Sequence, residues 1–232
     1  YEIKNNYTPV LRDVHFSSLA NGHVVGDDYT LRQTIDGGLT WSVVLPDSGF
    51  ASGVDTLNAV HTFGAGDAMV VGDDAYVATI TNQTAVESST LPVGFTEHLY
   101  GIEFIDQNNG IVVGGDGTTE VLMTDDKGAT AWDDLNPTGT DPLKAAYGFA
   151  NNSYVAVGEN GTIRYITDDP SVTDISGSIT SEDLNDVFFY DNKTGYIVGD
   201  TGTLIKSTYA LLDAVTNEIQ SITWSTKSTD DE

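Results

Sequence analysis

Apolar and polar positions alternate along much of this chain, and the alternating segments return in sets. Five leucines, Leu11, Leu57, Leu99, Leu143 and Leu184, open the units, and those at 11, 57, 99 and 184 lead segments close to Leu-x-x-Val-x-Phe, the period-two pattern of a strand with one face in a core. Fifteen residues after each leucine stands a glycine that closes a short apolar run: Gly26, Gly72, Gly114, Gly158 and Gly199. That interval never changes, whereas the step from unit to unit is 46, 42, 44 and 41 residues. A rigid core joined by elastic connections at this period predicts repeated four-stranded sheets, with insertions collecting in the loops.

Each unit divides into four strands. The first runs Leu11 to Phe16, Leu57 to Phe63 with a slip, Leu99 to Phe104 and Leu184 to Phe189. The second is almost wholly apolar, as in His23-Val24-Val25, Met69-Val70-Val71 and Ile111-Val112-Val113. Continuous apolar character means that both faces are covered, as in a sheet pressed between two neighbours. Acidic turns follow, among them Asp27-Asp28, Asp73-Asp74 and Asp200-Thr201-Gly202, whose residues tolerate positive φ. The third strand is expected at Thr30 to Thr34 and its equivalents. The fourth is clear at Trp41 to Leu45 and Ile219 to Lys227, plausible at Ala131 to Leu135, and weakly marked in units two and four. The Tyr209 to Glu218 insertion has the composition of a helical turn or two.

The expected fold is therefore all-β: a single five-bladed β-propeller of four-stranded antiparallel blades, one domain over residues 1–232. The repeats cover about 11–56, 57–98, 99–142, 143–183 and 184–232, and residues 1–10 are expected to pair with the terminal blade.

Between the third and fourth strands of unit one stands Thr34-Ile35-Asp36-Gly37-Gly38-Leu39-Thr40-Trp41. It matches the Asp-box, Ser/Thr-x-Asp-x-Gly-x-Thr-Trp, of the bacterial neuraminidase repeat. Unit three has a version with one residue inserted, Thr124 to Trp132, which keeps Asp126, Gly128 and Trp132. With Leu-x-Asp-Val-x-Phe and Gly-x-x-Val-Gly-Asp-x-Gly-Thr, the chain resembles Asp-box propellers of the photosystem II assembly and stability factor type. The resemblance implies a propeller whose box residues Thr34, Asp36, Gly38, Thr40 and Trp41 hold the fold together at the periphery. Chemically, Asp36 suits the turn's own N–H groups, Gly38 a conformation closed to a Cβ, and Trp41 a packing role.

Charge changes the picture of partners. The chain carries 35 acidic against 9 basic residues, a net charge of −26, and no cysteine. Such a charge repels nucleic acid and opposes the compact state unless salt or cations screen it. No apolar run approaches a membrane span. The chain begins at Tyr1 with no signal segment, and a processed, extracellular or surface protein from saline surroundings is the expectation. The acidic turns Asp27, Asp28, Asp73, Asp74, Asp116, Glu159 and Asp200 should share one propeller face. Such a face suits a basic protein surface or Ca²⁺ through oxygen ligands, and copies of the chain itself are another candidate partner.

Two further constellations carry chemistry. Four residues after each leucine stand His15, His61 and Glu103 in units one to three, a two-histidine, one-carboxylate set of metal-ligand type, against a packing role for the row. Asp13, Asp186 and Glu103 on inner strands are the candidates for a glycosidase of the five-bladed kind. A sialidase would need three convergent arginines. Only Arg12, Arg32 and Arg164 exist, and the last two fall at the same place in different units. The reading is a non-enzymatic binding or assembly module, with glycoside hydrolysis as the alternative.

Overall fold

The computed structural model describes residues 9–46, 56–87, 90–150, 152–167, 171–212 and 219–226. The chain forms two compact units, Tyr1–Ser89 and Thr90–Glu232, each treated by itself below.

The first unit holds two sheets. One is β1 (Leu11–Phe16), β2 (Gly22–Gly26), β3 (Thr30–Thr34) and β4 (Ser42–Val43), in that order and antiparallel. The chain then gives a two-residue strand, β5 (Leu45–Pro46), before the second sheet of β6 (Leu57–Gly64), β7 (Asp67–Gly72), β8 (Val77–Thr81) and β9 (Thr84–Glu87). β5 does not stay with its own sheet: it adds in parallel to β9, with Leu45 opposite Thr84. The fourth strand expected at Trp41 to Leu45 is thus split, and its last residue tethers the first sheet to the second.

The second unit holds three sheets. They are β10 (Leu99–Phe104), β11 (Gly110–Gly114), β12 (Glu120–Thr124) and β13 (Asp133–Asp134); then β14 (Leu143–Phe149), β15 (Ser153–Gly158), β16 (Ile163–Thr167) and β17 (Ser171–Asp174); then β18 (Leu184–Phe189), β19 (Gly195–Gly199), β20 (Leu204–Leu212) and β21 (Ile219–Thr226). The weakly marked fourth strands of units two and four are β9 and β17. The helical expectation for Tyr209 to Glu218 is corrected at its start, because Tyr209–Leu212 continue β20 as strand; the rest lies outside the described residues. Of residues 1–10, expected to pair with the terminal blade, only the last two are described, and they belong to no strand.

The leucine-to-glycine interval is a pairing register. Leu11 lies opposite Gly26, Leu57 opposite Gly72, Leu99 opposite Gly114, Leu143 opposite Gly158 and Leu184 opposite Gly199. In all five pairs the register shifts just after the leucine, a bulge that leaves Arg12, Asn58, Tyr100, Lys144 or Asn185 unopposed. The glycine is there for space. A Cβ at any of the five would collide with the carbonyl oxygen before the leucine, on Val10, Thr56, His98, Pro142 or Asp183. That same carbonyl accepts the N–H following the glycine, at 2.8 to 3.2 Å. The backbone is drawn in until only a hydrogen atom fits.

Packing repeats as well. Within the first unit, Val25 and Leu31 of one sheet meet Leu57, Val60 and Val70 of the next. Within the second, Ile111, Val113 and Val121 meet Leu143 and Ala156, and Val155, Val157 and Ile163 meet Leu184, Val187 and Phe189. Within each unit, the apolar second strand of a sheet thus faces the leucine-led strand of the next. This explains why β2, β11 and β15 are buried end to end.

Candidate functional site

Four of the five glycines lead into a tight turn with two residues at positive φ: Asp28 and Tyr29, Asp74 and Ala75, Asn160 and Gly161, Thr201 and Gly202. This is the I′ geometry that suits the twist of adjacent strands. The turns open on Asp27, Asp73, Glu159 and Asp200, whose carbonyls accept the N–H three residues on at 3.0 to 3.1 Å. In three of them the bulge residue reaches up to the turn's carboxylate. Arg12 donates to Asp27 at 2.6 Å, Asn58 to Asp73 at 2.9 Å and Asn185 to Asp200 at 2.6 Å. The Arg12–Asp27 ion pair is solvent-facing and so contributes little stability by itself.

Asp116 does not fall in this row. The third connection is two residues longer, and Gly115 takes the place of Asp27, donating to the His98 carbonyl at 2.8 Å. Asp116 stands further out, exposed, with its N–H on Glu97 at 2.9 Å. Carboxylates just before the leucines brace these loops too. Glu97 also accepts Thr118, Asp141 accepts Asn160, and Asp183 accepts both Lys144 and the Asn160 N–H, which hold it below its ordinary range. Sequence reading missed Glu97, Asp141 and Asp183. Their signal is their place, one or two residues ahead of Leu99, Leu143 and Leu184.

The histidine and carboxylate row behaves differently. His15 and His61 stack with ring centroids 4.3 Å apart, and the His15 Nδ1 accepts the Thr62 N–H at 2.8 Å. The Thr62 hydroxyl donates to the His15 carbonyl at 2.9 Å, so its oxygen is left to accept from the Nδ1 of buried His23 at 3.0 Å. This chain of donors fixes both tautomers: His15 carries its proton on Nε2 and His23 on Nδ1. The His23 Nε2 then points a lone pair into a buried site without a partner. Burial, then repulsion from His61 and His23, lowers the pKa of His15 to about 4; burial likewise takes His23 to about 4, against a small opposing pull from Asp67.

This arrangement corrects the metal-ligand expectation for His15, His61 and Glu103. Among the described residues no group of three or more histidines, cysteines and carboxylates could hold a metal ion. His15 spends its Nδ1 on a backbone amide instead. His23 was read only as strand, although two substitutions in the repeat mark the site. His23 stands where the third and fourth units have Ile111 and Val155, and Thr62 where the first, third and fifth have Phe16, Phe104 and Phe189. The smaller threonine admits the imidazole and supplies its acceptor.

Two of the inner-strand carboxylates, Asp13 and Asp186, accept backbone amides. Asp13 accepts the Val14 N–H on one oxygen at 2.7 Å and the Val60 N–H of the next sheet on the other at 2.9 Å. Both oxygens are thus engaged by backbone amides. Asp186 accepts the Val187 N–H at 2.8 Å, and burial raises its pKa. Glu103 lies on β10, in the other unit from Asp13.

The Thr34–Trp41 turn is held by its own side chains and by the Gly37 N–H, which donates to the Ala20 carbonyl at 3.0 Å. Thr34 Oγ1 accepts the Gly38 N–H at 2.8 Å, and the Asp36 carboxylate accepts the Thr40 N–H and hydroxyl at 2.9 and 2.6 Å. Gly37 and Gly38 have φ of 74° and 84°. Thr124, Asp126, Gly128 and Thr130 repeat the same bonds, so the inserted Ala131 falls after the turn is complete. Trp41 meets Phe16 edge-on at 6.0 Å, and Trp132 meets Phe104 at 6.5 Å. Hydrogen bonds hold both aspartates below their ordinary pKa.

Solved structures share this architecture. YCF48 bound to D1 peptide matches with a TM-score of 0.67 at 20% identity, over 88% of this chain and 67% of that one. YCF48 from Cyanidioschyzon merolae matches with 0.67 at 18% identity, over 97% and 74%. The WD40 β-propeller domain of Doa1 matches with 0.63 at 17% identity, over 94% and 70%. No family model and no curated protein matches the chain. The fold is an all-β propeller, and the five sheets are its blades.

Proposed function

We propose that this chain is a non-enzymatic protein-binding or assembly module, and that its acidic turns receive a partner with a basic surface. The observation that carries the reading is the acidic turn itself, built at the same place in four blades. The exposed Asp28 and Asp74, with Asp116 on the longer third loop, add charge that no turn geometry requires. At a net charge of −26, such edges steer cationic partners and repel anionic ones. Peptide binding by a propeller of this shape has a precedent in YCF48 bound to D1 peptide. The glycosidase alternative is weakened by Asp13, whose two oxygens are engaged by backbone amides. The Thr34–Trp41 turn is read as an Asp-box in a structural role, and the charge suits an extracellular or surface setting in saline surroundings.

Fluorescence anisotropy with a lysine-rich and a glutamate-rich peptide of equal length tests the reading. The lysine-rich peptide should bind and weaken steeply with salt, and Asp28→Asn with Asp74→Asn should weaken it further. Equal binding of the two peptides, or indifference to the aspartate changes, refutes the acidic-edge mechanism. Millimolar Ca²⁺ in the same titration separates a carboxylate site for the ion from general screening. If the turns hold Ca²⁺, it should compete beyond monovalent salt of matched ionic strength.

A further inference from the structure

Three contacts between neighbouring blades can be compared within the two units, and one of them is built differently at one end. Where the third blade meets the fourth, Ile111 and Met123 share an apolar cluster with Tyr154; where the fourth meets the fifth, Val155 shares one with Phe189. By strand register, the same place in the first unit holds His23 and Gln33 on the first blade and Thr62 and Ala68 on the second. All four are buried, and neither residue on the second blade carries a ring. The opposite end of this seam is apolar, with Val25, Leu31 and Val44 clustered on Leu57, Val60 and Val70. The polar end is closed by hydrogen bonds to Thr62. Its N–H donates to His15 Nδ1 at 2.8 Å, its hydroxyl donates to the His15 carbonyl at 2.9 Å, and its oxygen accepts from His23 Nδ1 at 3.0 Å. The first of these needs a lone pair that a charged imidazole does not have.

We infer that this end of the seam is an acid-released latch: when His15 and His23 take up protons, β6 parts from the first sheet at Thr62, while both sheets keep their own pairing and the Val25–Leu57 end stays closed. On His15 the arriving proton lands on Nδ1, because Nε2 already carries one, and two donors then face each other. On His23 it lands on Nε2, which is buried without an acceptor. His61 of β6 stacks on His15 and repels it when both are charged, whereas Asp67 of β7 draws weakly on His23 in the opposite sense. Asp13 of β1 is held by the Val14 and Val60 amides. Burial lowers both histidines to about 4, against 6.5 in water, so the open form takes the proton first. The latch is therefore shut above about pH 6.5 and loosens as the pH falls toward 4. Between about pH 7 and about pH 5 each histidine shifts the balance toward the open seam by roughly 20-fold, and the coupled pair by less than the product. The two seams of the second unit have no such response, since Ile111, Val155 and Phe189 carry no proton to exchange. Opening of one seam end exposes little surface and leaves the rest of the fold standing, unlike global unfolding.

Native-state hydrogen exchange of the whole chain, followed by NMR at about pH 7 and about pH 5 with urea kept below the unfolding transition, reads the latch. The reporter is the Thr62 N–H; the references are the amides of Val24 and Val70, on the central strands β2 and β7. Relative to an unstructured peptide at the same pH, Thr62 should lose protection by roughly 20-fold or more at the lower pH, with little dependence on urea. Val24 and Val70 should stay protected and exchange in steep dependence on urea, as amides released only by global unfolding do. His15→Asn with His23→Asn keeps an acceptor and a donor for Thr62 but cannot titrate, so it should remove most of the acid response. Imidazole ¹⁵N shifts of the wild type give a second reading that needs no variant: His15 and His23 should take up protons over the pH range in which Thr62 loses protection. Three results each overturn the latch: protection of Thr62 that ignores pH, exchange of Thr62 as urea-dependent at about pH 5 as that of Val24 and Val70, or protonation of both histidines with Thr62 still protected. A double variant that folds and responds to acid as the wild type does overturns it too.

Discussion

Acidification should unlock the histidine cluster of the first unit before it reaches Asp36 and Asp126. His23 is fully buried, gives its Nδ1 proton to Thr62 Oγ1, and has no acceptor at Nε2. Protonating it would bury a second N–H and a charge with nothing to pair them. Its folded pKa of about 4 lies below the 6.5 of an unfolded histidine, so the unfolded chain takes the proton first. Stability from this group is therefore whole above about pH 6.5, falls as the pH drops, and is fully lost near pH 4. The whole shift corresponds to about 3 kcal/mol, of which about 2.5 kcal/mol is gone by about pH 4.5. His15 carries a further share in the same window, partly common to His23 because the two repel when charged. Asp36, Asp106, Asp126, Asp183 and Asp191 sit below their ordinary 3.8, so their losses come at lower pH. Burial raises Glu120 and Asp186, which act in the opposite sense as the pH falls through their folded pKa values. His23→Asn separates the contributions, since it keeps an amide donor for Thr62 and cannot titrate. Urea unfolding of both proteins from about pH 7.5 to pH 4.5 should show the wild type losing about 2.5 kcal/mol relative to the variant. A difference constant to within about 0.5 kcal/mol over that range would refute the neutral, buried assignment.

Two other changes test the repeat's architecture. Gly158→Ala should cost about 2–3 kcal/mol in denaturant unfolding, because the new Cβ meets the Pro142 carbonyl; Gly64→Ala, with open space around it, should stay within about 0.5 kcal/mol. Equal costs would remove the close-approach explanation for the five glycines. Thr34→Val should cost about 1–3 kcal/mol by stranding the Gly38 and Asp36 amides, and Asp36→Ala should also lower the melting temperature. Neither should alter binding of the lysine-rich peptide, and lost binding at unchanged melting temperature would make this turn a ligand site.

The repeat, its strands and its hinge glycines were legible in the sequence because they depend on near neighbours. Strand alternation needs only a two-residue period, and the leucine-to-glycine interval is the length of one hairpin with its bulge. The turn at Thr34–Trp41 was legible for the same reason: the hydrogen bonds of its Thr34 and Asp36 side chains are made within five residues. The short fourth strands were harder, since β4 and β13 are two residues each and take their pairing from β3 and β12 rather than from any pattern of their own. What lay beyond sequence spacing was the use of each polar side chain. His15, His23 and Thr62 come together only when β1, β2 and β6 pack, and that packing spends the Nδ1 of His15, one member of the supposed metal set, on a backbone amide. Asp13 became an anchor when the Val60 amide reached it from 47 residues away. Asp116 left its row because two extra residues in one loop shift a side chain out of register while leaving the strand pattern intact. Periodicity records which face of a strand is buried; only the neighbouring blade decides which donor or acceptor stands opposite.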